Sequence, residues 1–316
     1  MIAFLFPGQN SQKVGMGQAL VEAYPEARAV FQEADAAFAD GESAASTPLS
    51  TLCFEGPADR LALTEITQPA ILTTSIAACR VLESNGVHPA FVAGHSLGEY
   101  SAHVAAGTFA FADAVRLVRR RGRYMQEAVP VGVGSMAAIV GTSLDVVRQA
   151  CEEAAEGQVV SPANINGPQQ VAIAGHASAV KRAGDRAKAL GAKLIVPLQV
   201  SAPFHCSLMK PAETRLEPEL RALAVRDPQV PVLANVDASP KTNGAASIDA
   251  LVRQISSPVQ WDALVRRLAS DGVTTYVEVG PGTVLGGLVK KIHPDARIIN
   301  FGSPEQLDAV MAACSI

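Results

Sequence analysis

The chain has little with which to staple itself together or hold a metal. Its five cysteines (Cys53, Cys79, Cys151, Cys206 and Cys314) are odd in number, irregularly spaced and never paired as CxxC. That excludes a disulfide framework and a zinc-ribbon site, and it fits a reducing cytoplasm. Basic residues are not in excess: 26 Lys and Arg stand against 30 Asp and Glu, for a net charge of −4. No global positive field is present to recruit nucleic acid or an anionic membrane. No uninterrupted apolar stretch is long enough to cross a bilayer. The opening run from Ile2 to Phe6 is too short for a signal-peptide core and lacks a basic leader. Internal repeats and low-complexity tracts are also missing. The expectation is a soluble, cytoplasmic protein with no membrane or nucleic-acid partner.

What is present is enough apolar residue for a large α/β core: 316 residues, 48% hydrophobic and 18% charged. Ile2-Ala3-Phe4-Leu5-Phe6, stopped by Pro7-Gly8, reads as a buried strand feeding a tight loop. Helical spacing runs from about Gly15 to Phe38, with Pro25 expected to break or kink it. A helix is expected over Gln68 to Asn85, with Pro69 in its first turn and Gly86 after its end. From Gly134 to Val200 the order is strand, helix, strand, strand, helix, strand, which predicts a ferredoxin-like unit with its own small sheet. It follows the glycine-rich stretch Pro130 to Gly134; the alternative, that these elements continue the main sheet, stays open. Main-domain texture then returns: a helix from about Cys206 to Leu223, a strand at Val230 to Leu233, a helix over Ile248 to Ile255 and a strand at Thr275 to Val279.

The most informative junction is a short apolar strand, Ala90 to Gly94, followed at once by His95-Ser96-Leu97-Gly98 and a helical stretch. Gly94-His95-Ser96-Leu97-Gly98 matches G-x-S-x-G, the nucleophile elbow. Such a turn needs glycines because backbone packs close on both sides of the serine. The hydroxyl then stands at a helix N-terminus, where the next backbone N–H can stabilise an oxyanion. A serine also needs a base, and six histidines are available: His88, His95, His103, His176, His205 and His293. His95 adjoins the serine and points elsewhere, His88 and His293 precede prolines, and His103 lies inside the helix after the elbow. His176 heads a helix, where capping is the ordinary role. His205 lies where the small unit hands back to the main one, a crossing that can face a cleft. Spacing alone leaves the choice open, and no acid between Ser96 and His205 stands out as a third member. A carbonyl could orient the imidazole in a Ser–His dyad instead.

Six blocks together carry a family resemblance: Phe6 to Gln12, Gly94 to Ala102, Arg121 to Gln126, Phe204 to Met209, Pro258 to Trp261 and Glu278 to Gly282. In content and order they resemble the malonyl-CoA:acyl carrier protein transacylase family, over nearly the whole chain. The resemblance implies an α/β-hydrolase-like catalytic domain (1–130 and 201–316) with an inserted ferredoxin-like small subdomain (131–200). It implies that a malonyl group passes from malonyl-CoA to the phosphopantetheine thiol of acyl carrier protein through an acyl-enzyme. Ser96 would be the nucleophile and His205 its base, with the backbone N–H groups of Gln9 and Leu97 as the oxyanion hole. Gln254 would orient His205 through its main-chain carbonyl, and Asn166 matches a substrate-site asparagine.

Arg121 sits in Arg119-Arg120-Arg121-Gly122-Arg123, which by itself reads as a solvated basic helix end. The resemblance turns it inward to fork the free carboxylate of malonate. Phe204, just before the histidine, goes with malonyl over bulkier acyl groups in related polyketide enzymes. Asn10 stands where the family usually has glycine, a position that Asn tolerates in left-handed backbone. No cofactor or metal is implied, and a monomer is expected. Carrier proteins are generally acidic, so Lys181, Arg182, Arg186 and Lys188, or Lys290-Lys291, are candidate docking residues. Two rivals remain at this level: a serine thioesterase or carboxylesterase, and a non-catalytic docking protein on the same fold.

Overall fold

Alternate side chains of β1 (Ile2–Phe6) leave the strand on opposite sides, and both sides are covered. Phe4 and Phe6 enter one apolar cluster, while Ala3 and Leu5 enter another. An unbroken apolar run is what a strand buried on both faces requires. The computed structural model describes residues 1–39, 47–200 and 202–314. Ser201, the first residue assigned above to the return segment, and Ser315 and Ile316 lie outside the described residues.

β1 pairs in parallel with β2 (Phe91–Gly94) on one side and β9 (Thr275–Val279) on the other. β7 (Val232–Leu233) extends the sheet past β2, with β8 (Pro240–Lys241) antiparallel at that edge, and β10 (Arg297–Phe301) closes the far edge. Helices Thr64–Ser84, Leu97–Ala105 and Phe111–Glu127 cover the Phe4/Phe6 face; Trp261–Ser270 and Val284–Ile292 cover the other. The result is an α/β layering with one predominantly parallel sheet.

The second sheet is built from β3 (Gly134–Val140), β4 (Val160–Gly167), β5 (Gln170–His176) and β6 (Leu194–Pro197). Its order is β4-β5-β3-β6, every pairing antiparallel, with helices Leu144–Ala154 and Ala177–Ala189 completing a ferredoxin-like unit. Those helices have their own apolar cluster with Ile139, Val171 and Ile173. The unit is pinned to the main body through β4: Ile165 N–H donates to Val259 O and Val259 N–H to Ala163 O, both at 2.8 Å.

One local expectation changes. The helix expected from Gln68 begins at Thr64, so Pro69 sits inside it rather than in its first turn. The first turn is closed upstream, where Ile66 and Thr67 N–H both donate to Leu63 O, and Pro69 forgoes only one later bond. Pro25 breaks rather than kinks, opening the second of two helices, Gln18–Ala23 and Pro25–Ala39. Sequence periodicity did not bring out the short helices Leu49–Phe54 and Ala58–Leu61 or the terminal elements β10 and Leu307–Cys314.

Candidate active site

β2 stops at Gly94 and the helix Leu97–Ala105 begins three residues later, so the chain must reverse within His95 and Ser96. Ser96 takes φ 53° and ψ −106°, a conformation that costs a non-glycine residue on the order of 1–3 kcal/mol. Close packing holds it there. A methyl group added at Gly94 would lie 1.9 Å from the Gly98 carbonyl carbon, and one at Gly98 would lie 2.0 Å from Phe6 O. Asn235, just past β7, ties the turn from the other side. Its Oδ1 accepts from Ser96 N–H at 2.7 Å, and its Nδ2 donates to Gly94 O at 2.7 Å. The Ser96 N–H is therefore already engaged. The Leu97 N–H, at the first helical position, has no intrahelical acceptor and is left for a ligand.

The Ser96 hydroxyl donates to His205 Nε2 at 2.6 Å. His205 Nδ1 lies 3.0 Å from the main-chain carbonyl of Gln254, an acceptor that fixes the proton on Nδ1 and leaves Nε2 free to receive one. No carboxylate is needed to set that tautomer. The imidazole is buried, and burial, followed by the nearby Arg121 charge, lowers its pKa to about 3, so it is neutral at physiological pH. His205 itself has a positive φ of 58°, a second strained residue in the same contact pair.

Arg121 is 1% exposed, not solvated. It is drawn inward because Gly122 lets the helix Phe111–Glu127 press against Thr64–Ser84: a Cβ at Gly122 would meet Thr64 O at 2.5 Å. Arg121 donates to Gln68 Oε1 and Gln254 Oε1, each at 2.8 Å, and Nη2 approaches Ser96 Oγ at 3.2 Å. Among the described residues its Nε has no acceptor, and no carboxylate pairs with it directly. Of its neighbours in the basic run, exposed Arg120 pairs with Glu219 at 2.9 Å, and half-buried Arg119 donates to Phe38 O at 2.7 Å.

Ser96, His205, Arg121, Leu97, Gln9 and Phe204 line one cavity of about 70 Å³, together with Gln68, Met125 and Leu198. The cavity lies between the two sheets, with Met136 and Asn164 of the small one on its wall. Asn10 adopts φ 79°, the left-handed backbone expected of it. Asn166 does not line the cavity; its Oδ1 meets His95 Nε2 at 2.9 Å, and the His95 ring lies 5.5 Å from that of Trp261. The neighbour of the nucleophile thus ties the elbow to the small unit. His176 stands at the expected helix start, yet its side chain does not cap; Nδ1 instead accepts from Val159 N–H at 2.9 Å.

Gln68, Glu99 and Asn235 escaped the sequence reading. Asn235 follows a two-residue strand and Gln68 sits in a helix interior, so neither carries a local signal. Glu99 does, since it directly follows the elbow, and a charged residue there must be buried against the sheet. Its carboxylate is 0% exposed and accepts from Gln254 Nε2 at 2.7 Å and Asn235 N–H at 3.0 Å. Glu278, in the last resemblance block, serves the fold: it accepts from Leu285 and Gly286 N–H at 3.1 and 2.8 Å, capping the helix Val284–Ile292.

Comparison with known proteins bears on the chain as a whole. Residues 3–300 match the acyl transferase domain family. The malonyl CoA-acyl carrier protein transacylase of Escherichia coli (strain K12) is 54% identical over 98% of both chains. An acyl carrier protein S-malonyltransferase from Vibrio cholerae has a TM-score of 0.94 at 45% identity, covering 98% of this chain and 99% of that one. A malonyl-transacylase solved in complex with a type II PKS acyl-carrier protein also reaches 0.94, at 43% identity and 99% coverage of each.

Proposed function

The chain belongs to the acyl transferase family, and we propose that it carries a malonyl group on Ser96 between two thiols. It is a malonyl-CoA:acyl carrier protein S-malonyltransferase of fatty acid or polyketide synthesis. The observation that carries the site assignment is that two groups converge on one atom. Ser96 Oγ lies 2.6 Å from a neutral imidazole and 3.2 Å from a buried guanidinium.

In the first half-reaction His205 Nε2 takes the Ser96 proton as Oγ attacks the malonyl thioester carbonyl. The oxyanion that forms is met by the Leu97 N–H and, as the resemblance implies, the Gln9 N–H. His205 returns the proton to the departing CoA thiolate. The phosphopantetheine thiol of the carrier protein then attacks the acyl-Ser96 ester by the reverse path. Arg121 forks the substrate carboxylate, which offsets the charge that depresses His205; the base strengthens as the correct substrate seats. Phe204 crowds the small cavity against a larger acyl group. Gln254 orients His205, while Asn166 acts at one remove, through His95.

The chemistry calls for no metal or redox cofactor, coenzyme A arriving as part of the substrate. We read the working unit as a monomer. We read residues 1–130 and 201–316 as the catalytic domain and 131–200 as an insert that closes one wall of the cleft. Five free thiols support a cytoplasmic location, and among the described residues no helix is long and apolar enough to cross a membrane. The test is intact-protein mass after brief mixing with malonyl-CoA, beside acetyl-CoA and a Ser96→Ala variant. A malonyl-sized increase specific to malonyl-CoA and absent from the variant is expected. No adduct, with malonate accumulating, would instead mark a serine hydrolase.

A further inference from the structure

Among the described residues, Arg121 is a buried cation whose direct hydrogen-bond partners are neutral, and a bare buried charge is costly. The hydrogen bonds lead to where its compensation lies. Arg121 Nη2 donates to Gln254 Oε1, and the amide of the same side chain donates to Glu99 Oε2 at 2.7 Å. One glutamine thus links the guanidinium to a carboxylate in the first turn of the helix that follows Ser96. The same amide nitrogen also donates to Ser96 O at 2.9 Å, and the main-chain carbonyl of Gln254 holds His205. Glu99 uses only one oxygen, which also accepts the Asn235 N–H; Oε1 is buried with no partner. A half-satisfied buried carboxylate is unusual.

We propose that Glu99 is the buried counter-ion of Arg121, acting through Gln254, and that loading a carboxylate-bearing acyl group onto Ser96 makes Glu99 take up a proton from solvent. This rests on the reading of Ser96 and Arg121 given above. Two carboxylates cannot both draw fully on one guanidinium; when malonate claims Arg121, the second negative charge disfavours the ionised form of Glu99. Among the described residues, the charged groups acting on Glu99 are Arg121 from the helix Phe111–Glu127 and Asp237 from the segment after β7. Gln254 and Asn235 face it as neutral donors, and the phenol of Tyr100 and the imidazole of His205 are neutral nearby groups. Burial, only partly offset by those donors and by Arg121, brings the Glu99 pKa up to about 7. The device is thus poised to exchange a proton at working pH. Glu99 would be a positioning residue: it touches Gln254 and Asn235, not the reacting atoms.

The acylation itself is proton-neutral near pH 7.5. Ser96 O–H and the thioester become an ester and a CoA thiol, and the malonyl carboxylate stays ionised throughout. Any proton taken from the medium is therefore linkage, with its acceptor inside the enzyme. The experiment mixes the enzyme with malonyl-CoA alone in weakly buffered solution with a pH indicator, and aliquots are weighed for the Ser96 adduct. About half a proton should be absorbed per adduct at pH 7.5 if loading raises the Glu99 pKa by about one unit. Glu99→Gln, which keeps the shape, should form adduct and absorb nothing. Adduct without uptake overturns the proposal and leaves the transferase reading standing; absence of adduct overturns that reading itself. Uptake that persists in Glu99→Gln assigns the proton elsewhere and also overturns it. If that variant does not fold, the wild-type pH profile decides: uptake must peak between pH 7 and 8, and a maximum below pH 5 would point to His205.

Discussion

Replacing Arg121 with alanine removes a guanidinium that is 1% exposed and bonded at 2.8 Å to Gln68 and at 2.8 Å to Gln254. Two consequences separate by substrate. For malonyl-CoA the forked grip on the carboxylate proposed above would disappear. A charge-assisted hydrogen bond contributes roughly 1.5–3 kcal/mol, so a forked pair amounts to about 3–6 kcal/mol. At about 1.4 kcal/mol per tenfold, kcat/KM should fall roughly 10²- to 10⁴-fold. Acetyl-CoA has no carboxylate to lose, and removing the cation relieves one cause of the depressed His205 basicity. Its kcat/KM should change less than about tenfold, because the contact at 3.2 Å to Ser96 Oγ is long. The assay is single-turnover acylation with each thioester, with thermal unfolding to confirm that both proteins are folded. A parallel fall for both substrates in a folded variant would refute the reasoning and reduce Arg121 to a structural role.

Asn235→Ala strips the buried turn of an acceptor for Ser96 N–H and a donor to Gly94 O; denaturant unfolding should show a loss of about 2–4 kcal/mol, and kcat should fall more than tenfold while KM changes little. His103 is fully buried, and burial lowers its pKa to about 3, far below its unfolded value. The unfolded chain then binds the extra proton as pH falls below about 6.5, so stability present at neutral pH is lost on acidification, by about 2 kcal/mol at pH 5. Urea melts at pH 7 and pH 5 should lose that slope in His103→Gln, and an unchanged slope would show that this residue does not cause it. Reversing Lys290 and Lys291 to glutamate should weaken transfer to the carrier protein at low salt and spare Ser96 loading; equal loss in both steps would remove that helix end from consideration as the docking surface.

Chemistry that lives on adjacent residues was legible in one dimension. The apolar run into Pro7, the strand–Gly-His-Ser-Leu-Gly–helix junction and the alternation of strand and helix between Gly134 and Leu198 depend on local periodicity and on glycine at points of close approach. The structure has the corresponding elements within a few residues. The family resemblance added His205, Arg121 and Gln254, which no periodicity separates from other histidines, arginines and glutamines.

What tertiary structure alone decided is which distant groups meet and in what electrostatic state. His205 comes to 2.6 Å from a serine 109 positions earlier only because the small sheet is inserted between them and the chain returns over the cleft. Whether Arg121 is solvated or buried depends on how closely two helices approach at Gly122, a distance that no charge pattern encodes. Asn235 and Gln68 become site residues through single long-range bonds, and Glu99 becomes titratable near neutrality only through complete burial beside a shared glutamine. Sequence determines these outcomes too, but through packing free energies summed over the whole core rather than through any residue's neighbours along the chain.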